Sequence, residues 1–229
     1  MINIKKLKIS TKEKELVNIN FTISNSTALI GESGSGKSLT LKALLNLLPS
    51  SLICQKDVDC SFELNYNTIG FIPQNPFTSL SAMTKIKNQI FCTKEKKEEV
   101  FKLLDLPLDI LNKYPSQISG GQNQRVVIAI ALSKDIKLLL LDEPTTALDL
   151  ENKINIINII QDLKDKLDIK ILFVSHDIDC VKDICSDIVI LKQGQIVEFG
   201  RTSEVLENPS NNYTKKLINS TFKNKEFRE

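Results

Sequence analysis

The chain has 229 residues, enough for one large domain in two lobes, and an apolar fraction of 41% that can build a substantial core. With 30 basic and 28 acidic residues the formal net charge is +2, which gives no charge-based reason to invoke nucleic acid or an acidic membrane surface. A single histidine excludes a His-rich metal site, and five cysteines, odd in number and without Cys-x-x-Cys spacing, argue against a disulfide scaffold and a zinc ribbon; Cys54, Cys60, Cys92, Cys180 and Cys185 read as free thiols in a reducing cytosol.

In chain order, residues 2–9 and 17–23 alternate as strands, and the start Met1-Ile-Asn-Ile-Lys5 lacks the apolar stretch of a signal peptide. Thr27–Ile30 is a short apolar strand ending at Gly31, and Leu39–Leu48 has helical character that stops at Pro49. Ser50–Asn67 is poorly patterned, and Thr68–Ile72 reads as a strand. Lys94–Leu104 is a charged amphipathic helix with a solvated face, and Gln122–Leu132 is a more apolar one. Lys137–Leu141 and Ile169–Val174 read as buried strands of a parallel sheet, separated by a helical stripe of Ile156, Ile159, Ile160, Leu163 and Leu167. Ile188–Leu191 and Ile196–Phe199, split around Gly194, form a hairpin, and the polar tail after Ile218 is expected to be loosely held. The longest unbroken apolar run near the chain's middle, Val126–Leu132, falls far short of the roughly 20 residues that span a bilayer. Strand–helix alternation indicates α/β architecture, interrupted by a mostly helical lobe from about residue 75 to 133.

Gly31-Glu32-Ser33-Gly34-Ser35-Gly36-Lys37-Ser38 matches GxxxxGK[ST] between an apolar strand and a helix, the context a phosphate loop requires. Its glycines let backbone N–H groups wrap a phosphate chain, and the helix beginning near Gly36 adds its positive end. Lys37 is expected to reach the β- and γ-phosphates, Ser38 to bind Mg²⁺, and the loop with Leu39 to make the nucleotide contact. Asn112-Lys-Tyr and Asn152-Lys-Ile both lack the aspartate of a guanine-reading Asn-Lys-x-Asp element, so adenine is the expected base. Leu138-Leu-Leu-Leu141-Asp142-Glu143 is an apolar strand ending in two carboxylates, where parallel sheets place ligands. Asp142 can hold Mg²⁺ directly or through water, and Glu143 can take a proton from attacking water. His176, in Ser175-His176-Asp177 at the next strand's exit, is placed to meet a γ-phosphate.

Together with Gln74, Ile118-Ser119-Gly120-Gly121-Gln122 and Ala147-Leu148-Asp149, these residues occur in the order found in the ATP-binding cassette (ABC) family of transport ATPases, which the chain resembles to about residue 218. The resemblance implies a phosphate-loop, RecA-like ATPase core (1–74 and 134–218) with an N-terminal antiparallel β region, an inserted helical subdomain (75–133) and a flexible tail (219–229). It implies two cassettes packed head to tail around two ATP molecules. Ser119 and Gly121, within Ser119–Gln122, would contact the partner's γ-phosphate; as read locally, Ser119 is also a helix N-cap. Gln74 would sense nucleotide and Mg²⁺, Asp149 would couple the two sites, and His176 would position the γ-phosphate and water.

A narrower resemblance, to peptide and nickel importer ATPases, rests on Ile72-Pro-Gln-Asn-Pro-Phe-Thr-Ser-Leu80, Tyr114-Pro, Glu143-Pro-Thr-Thr, Gly194-Gln-Ile-Val-Glu198 and Pro209-x-x-x-Tyr213-Thr. It implies a peripheral subunit on the cytoplasmic face of the membrane, with a second ATPase (the same or a related chain), two permeases and an extracytoplasmic binding protein, and no nucleic acid. The chain departs from the pattern at Thr11, near which an adenine-stacking aromatic is expected, at Asn123 and Ile130 for arginines, and at Asn211-Asn212 for His-Pro. Two alternatives stay open: a nucleotide-gated module with weak hydrolysis beside a catalytically dominant partner, and a soluble cassette ATPase not coupled to transport.

Overall fold

β1 (Ile2–Ser10) buries Ile2, Ile4, Leu7 and Ile9, so its apolar spacing slips by one residue at Lys5-Lys6. A β-bulge absorbs the slip, because the register against β2 (Glu15–Ile23) also shifts between Ile4 and Leu7. The two strands are antiparallel, and β2 contributes Val17, Ile19, Phe21 and Ile23 to the same buried face. The computed structural model describes residues 1–146 and 149–226. After β2 come the five-residue, wholly buried β3 (Ser26–Ile30) and α1 (Lys37–Leu44). This helix stops four residues before the Leu48 that the apolar pattern predicts. Asn46 turns left-handed (φ 58), its N–H reaches Ala43 O and the Leu47 N–H reaches Lys42 O at 2.8 Å, a Schellman ending. The poorly patterned segment holds a strand, β4 (Ile53–Asp59), antiparallel to the free side of β1. Most of its side chains are exposed, so no burial pattern marks it; the backbone ladder to β1 holds it in place.

The next stretch, Asn65–Ile169, is a compact unit of its own. Its β5 (Ile69–Ile72) runs parallel to the strand Leu138–Asp142, called β6 below, with Ile72 opposite Leu141. Short 3-10 turns and two helices, α2 (Lys94–Leu103) and α3 (Gly120–Leu132), fill the chain between those strands. α2 buries Val100 and Phe101 and leaves a charged face outside. α3 is nearly all buried, as its apolar sequence requires. β6 buries Leu138 to Leu141 completely; each such side chain contributes about 1.5–3 kcal/mol. α4 (Leu150–Lys166) follows, capped by Asp149, with Ile156, Ile160 and Leu163 as its buried stripe.

The remaining residues return to the first unit, made of Met1–Leu64 with Lys170–Glu229. β7 (Lys170–Ser175) and β8 (Asp187–Lys192) flank β3 on either side in parallel, which makes β3 an interior strand. β9 (Gln195–Arg201) folds back antiparallel on β8 through Gln193 (φ 48) and Gly194 (φ 78), the two left-handed residues of a type I′ hairpin. α5 (Thr202–Glu207) and α6 (Asn212–Glu226) complete the unit, so the segment after Ile218 is helical as far as 226. The α/β class with an N-terminal antiparallel region is thus what the sequence predicts.

Candidate functional site

The first unit carries the phosphate loop. β3 ends where Gly31 begins it, and the β3–β7 register sets Ile30 opposite Ser175, so His176 leaves the sheet at the same edge as Gly31. Gly31 is required by close approach: a Cβ there would stand 2.3 Å from the Leu191 carbonyl oxygen and 2.7 Å from Ser35 Oγ. Gly34 (φ 79) and Gly36 (φ 111) are required by conformation, since a side chain in that region costs about 1–2 kcal/mol. Gly36 caps α1, and Thr40 returns both its N–H (2.9 Å) and its hydroxyl (3.0 Å) to the Gly36 carbonyl. The Gly194 N–H supports the loop from the hairpin, 2.8 Å from Ser35 O.

Lys37 is 6% exposed, and its Nζ donates to the carbonyls of Gly31 (2.6 Å) and Glu32 (3.0 Å). The ammonium is therefore held inside the curve of its own loop. Ser35 Oγ is buried without a hydrogen-bond partner, an orphaned donor that an anion in the loop would satisfy. Glu32, Ser33, Gly34 and Ser38 are exposed and Leu39 is half-buried. The loop is built to take an oxyanion, with helix-start N–H groups, a lysine and hydroxyls. Thr11, near which the resemblance implies an aromatic, spends its hydroxyl on its own turn: Oγ1 accepts the N–H groups of Glu13 (3.2 Å) and Lys14 (2.9 Å).

The second unit carries the carboxylates and the signature. The parallel β5–β6 pair brings two predicted residues together: Gln74 Nε2 donates to Glu143 Oε2 at 3.4 Å. Thr146 Oγ1 donates to the same oxygen at 3.1 Å. Glu143 has φ 48 and precedes Pro144, a conformation no sequence pattern announces. The buried Gln124 of α3 holds it by donating from Nε2 to the Pro144 carbonyl. Gln124 and Thr146 are thus supporting residues that sequence reasoning missed; a polar residue on an otherwise apolar helix face was the available signal. Asp142, half-buried, ends β6 just before Glu143.

Ser119 caps α3 through a reciprocal capping box: its Oγ accepts the Gln122 N–H (3.2 Å) and Gln122 Oε1 accepts the Ser119 N–H (3.0 Å). Gly120 and Gly121 follow in ordinary helical conformation; a Cβ on Gly121 would meet Asn152 Oδ1 at 2.5 Å. Asp149 in turn holds Asn152 by accepting its N–H (2.9 Å) and its side-chain amide (2.8 Å), and those bonds, the backbone one foremost, keep the Asp149 carboxyl below its ordinary range. The Ala147-Leu148 part of this motif lies outside the described residues.

Among the described residues no three His, Cys, Asp or Glu side chains gather as a metal cage, and no helix is long and apolar enough to cross a membrane. Mg²⁺ does not need such a cage: it binds through a few hard oxygens, phosphate oxygens and water. An exposed hydroxyl in the first turn of α1 (Ser38) and a carboxylate at a strand end (Asp142) are donors of that kind.

The family model described as "ABC transporter" matches residues 16–146, more than half of the chain. The chain is 34% identical over 232 residues to the oligopeptide transport ATP-binding protein OppD of Bacillus subtilis, an alignment covering 89% of this chain and 65% of that protein. It is 31% identical to the metal-staphylopine import system ATP-binding protein CntD of Staphylococcus aureus, covering 96% of this chain and 93% of CntD. Its fold matches cbiO1 of Clostridium perfringens, part of the transporter complex cbiONQ, with a TM-score of 0.77 at 23% identity and 90% coverage of each chain. The chain thus spans about two thirds of OppD's length (65%) and nearly all of CntD's. Its phosphate loop, capped signature and strand-end carboxylates have found their family: the chain belongs to the ABC transporters.

Proposed function

We propose that this chain is the ATP-hydrolysing subunit of an importer for peptides or for nickel or another chelated metal. The observation that carries the reading is the Glu143 carboxylate, held in a left-handed backbone turn with Gln74 and Thr146 donating to one oxygen. A carboxylate carried on a strained backbone and fixed by its neighbours suits a general base that takes a proton from water. The names of the relatives, which speak of oligopeptide transport and of metal-staphylopine import, support the transport role and the two cargo classes.

In this reading the phosphate loop binds the triphosphate with its N–H groups and Lys37, Glu143 orients water and accepts its proton, and His176 positions the γ-phosphate. Ser38 and Asp142 would be the residues that hold Mg²⁺, which would supply charge neutralisation on the phosphate oxygens, and Gln74 would sense it. Ser119, Gly120, Gly121 and Gln122 serve the ATP of a second cassette, and two permeases and a binding protein complete a complex on the cytoplasmic face of the membrane. ATP closes the cassette pair, and hydrolysis with release reopens it.

The test is Glu143→Gln in the chain purified with its permeases. ATP binding should persist while hydrolysis falls by about 10²–10⁴-fold, the usual contribution of a general base. Normal turnover in that variant would remove Glu143 from its role, and a chain that never co-purifies with permeases would remove the transport reading.

A further inference from the structure

Tyr213, in the first turn of α6, lies far from the phosphate loop in sequence, yet its hydroxyl accepts the Glu32 N–H at 3.1 Å. The Glu32 N–H and the Gly31 carbonyl belong to one planar peptide unit, so fixing one end orients the other. At the other end, the Gly31 carbonyl accepts the Lys37 ammonium at 2.6 Å. Tyr213 and Lys37 therefore clamp the same peptide plane from its two sides. We infer that Tyr213 is a positioning residue for the phosphate loop, its hydroxyl fixing the Gly31–Glu32 peptide and thereby the anchor that aims Lys37. This rests on the reading of the loop as the ATP site.

The clamp is itself held. Tyr213 is 8% exposed, with the Lys192 ammonium 4.8 Å from its ring centre. Its backbone N–H is taken by Asn211 Oδ1 at 2.8 Å, and Asn211 Nδ2 reaches the Val197 carbonyl on β9 at 3.4 Å. Glu198 secures the segment before it: Oε1 accepts the Ser210 N–H (2.7 Å) and hydroxyl (2.8 Å), and Oε2 accepts the Asn211 N–H (3.2 Å). Asn211, which departs from the family's His-Pro, thus does a definite task here by capping the turn that presents Tyr213. Burial, with the Glu32 carboxylate beside it, pushes the Tyr213 phenol further above its ordinary range, so the hydroxyl keeps its proton while it accepts the loop N–H.

Tyr213→Phe deletes the hydroxyl and little else. Amide exchange of the phosphate-loop peptide in the nucleotide-free full chain should accelerate at Glu32. The Kd for ATP should rise about three- to tenfold, the loss of one hydrogen bond's net contribution. In the assembled complex KM should rise by more than kcat falls, and the melting midpoint should move by less than about 4 °C. Asn211→Ala, which frees the Tyr213 backbone, should shift exchange and Kd in the same direction by less. Unchanged exchange and unchanged Kd in both variants overturn the inference. If the unaltered chain binds no ATP, the functional reading fails, while the exchange measurement still judges the clamp.

Discussion

The phosphate loop and the signature are both glycine motifs at helix starts, and they use glycine differently. In the loop, Gly34 and Gly36 take left-handed backbone angles, and the curve is braced by Lys37, Ser35, Gly194 and Tyr213, all from its own unit. In the signature, Gly120 and Gly121 are plain helical residues behind an exposed cap, Ser119, and the close neighbour of Gly121 is one side-chain amide. The loop is a concave cradle braced on several sides. The signature is a helix N-terminus offered outward, which suits a motif proposed to complete the ATP site of another subunit.

The sharpest way to break this contrast is to add a methyl group on each side. Gly31→Ala drives a Cβ to 2.3 Å from a backbone oxygen, Leu191 O, which cannot swing away. Overpacking of that kind costs about 2–3 kcal/mol, which lowers the melting midpoint by about 4–12 °C. ATP binding should be lost with it, because the displaced peptide carries the Lys37 anchor. Thermal unfolding and an ATP titration check this; a variant that binds ATP as the unaltered chain does would show that the loop tolerates a shifted Gly31.

Gly121→Ala meets only the side-chain amide of Asn152, which can turn aside by giving up its amide bond to Asp149. Alanine is also the better helix former, which offsets part of that loss, so stability should change little. ATP binding by the isolated chain should be unaltered, while hydrolysis by the assembled cassettes should fall, since the methyl group pushes on Asn152 and disturbs the helix start that bears Ser119. Adding Asn152→Ala makes room for the methyl group and should restore part of that hydrolysis. If Gly121→Ala instead weakened ATP binding by the isolated chain, the signature would be serving the ATP of its own subunit.

What was legible in the sequence follows the same division. Strands that bury every residue, such as β3 and β6, and the loop set between β3 and α1 announce themselves by local pattern. β4 does not, because an edge strand held by backbone pairing needs no apolar alternation. The end of α1 turned on one left-handed asparagine. At the site, motif order proposes the chemistry-bearing residues, and the fold brings two of them, Gln74 and Glu143, within hydrogen-bond distance. Their supports could not. Gln124 under Pro144 looks like one more residue of a helix, and Tyr213 reaches a partner 181 positions away. Supports of that kind depend on folded distance, which a pattern of neighbours does not encode.

The smallest effect lies in the carboxylate beneath each motif. Glu198 supports the loop through Ser210, Asn211 and Tyr213, and Asp149 supports the signature through Asn152. Burial raises the Glu198 carboxyl, but the hydrogen bonds from Ser210 and Asn211 help to leave it below its ordinary value of 4.5. Asp149 is held below 3.8 by the Asn152 backbone N–H and amide. A depressed carboxyl stabilises the fold fully above its unfolded value and loses that contribution as pH falls through the folded one. Both supports should therefore be intact at neutral pH and loosen only below about pH 4. Amide exchange at residues 210–213 and 150–153, corrected for intrinsic rates, reads the two separately. Glu198→Gln should abolish the acid dependence in the first segment alone, and Asp149→Asn in the second alone. Were one substitution to flatten both profiles, the two glycine motifs would share a support, and the division between cradle and offered helix end would not hold.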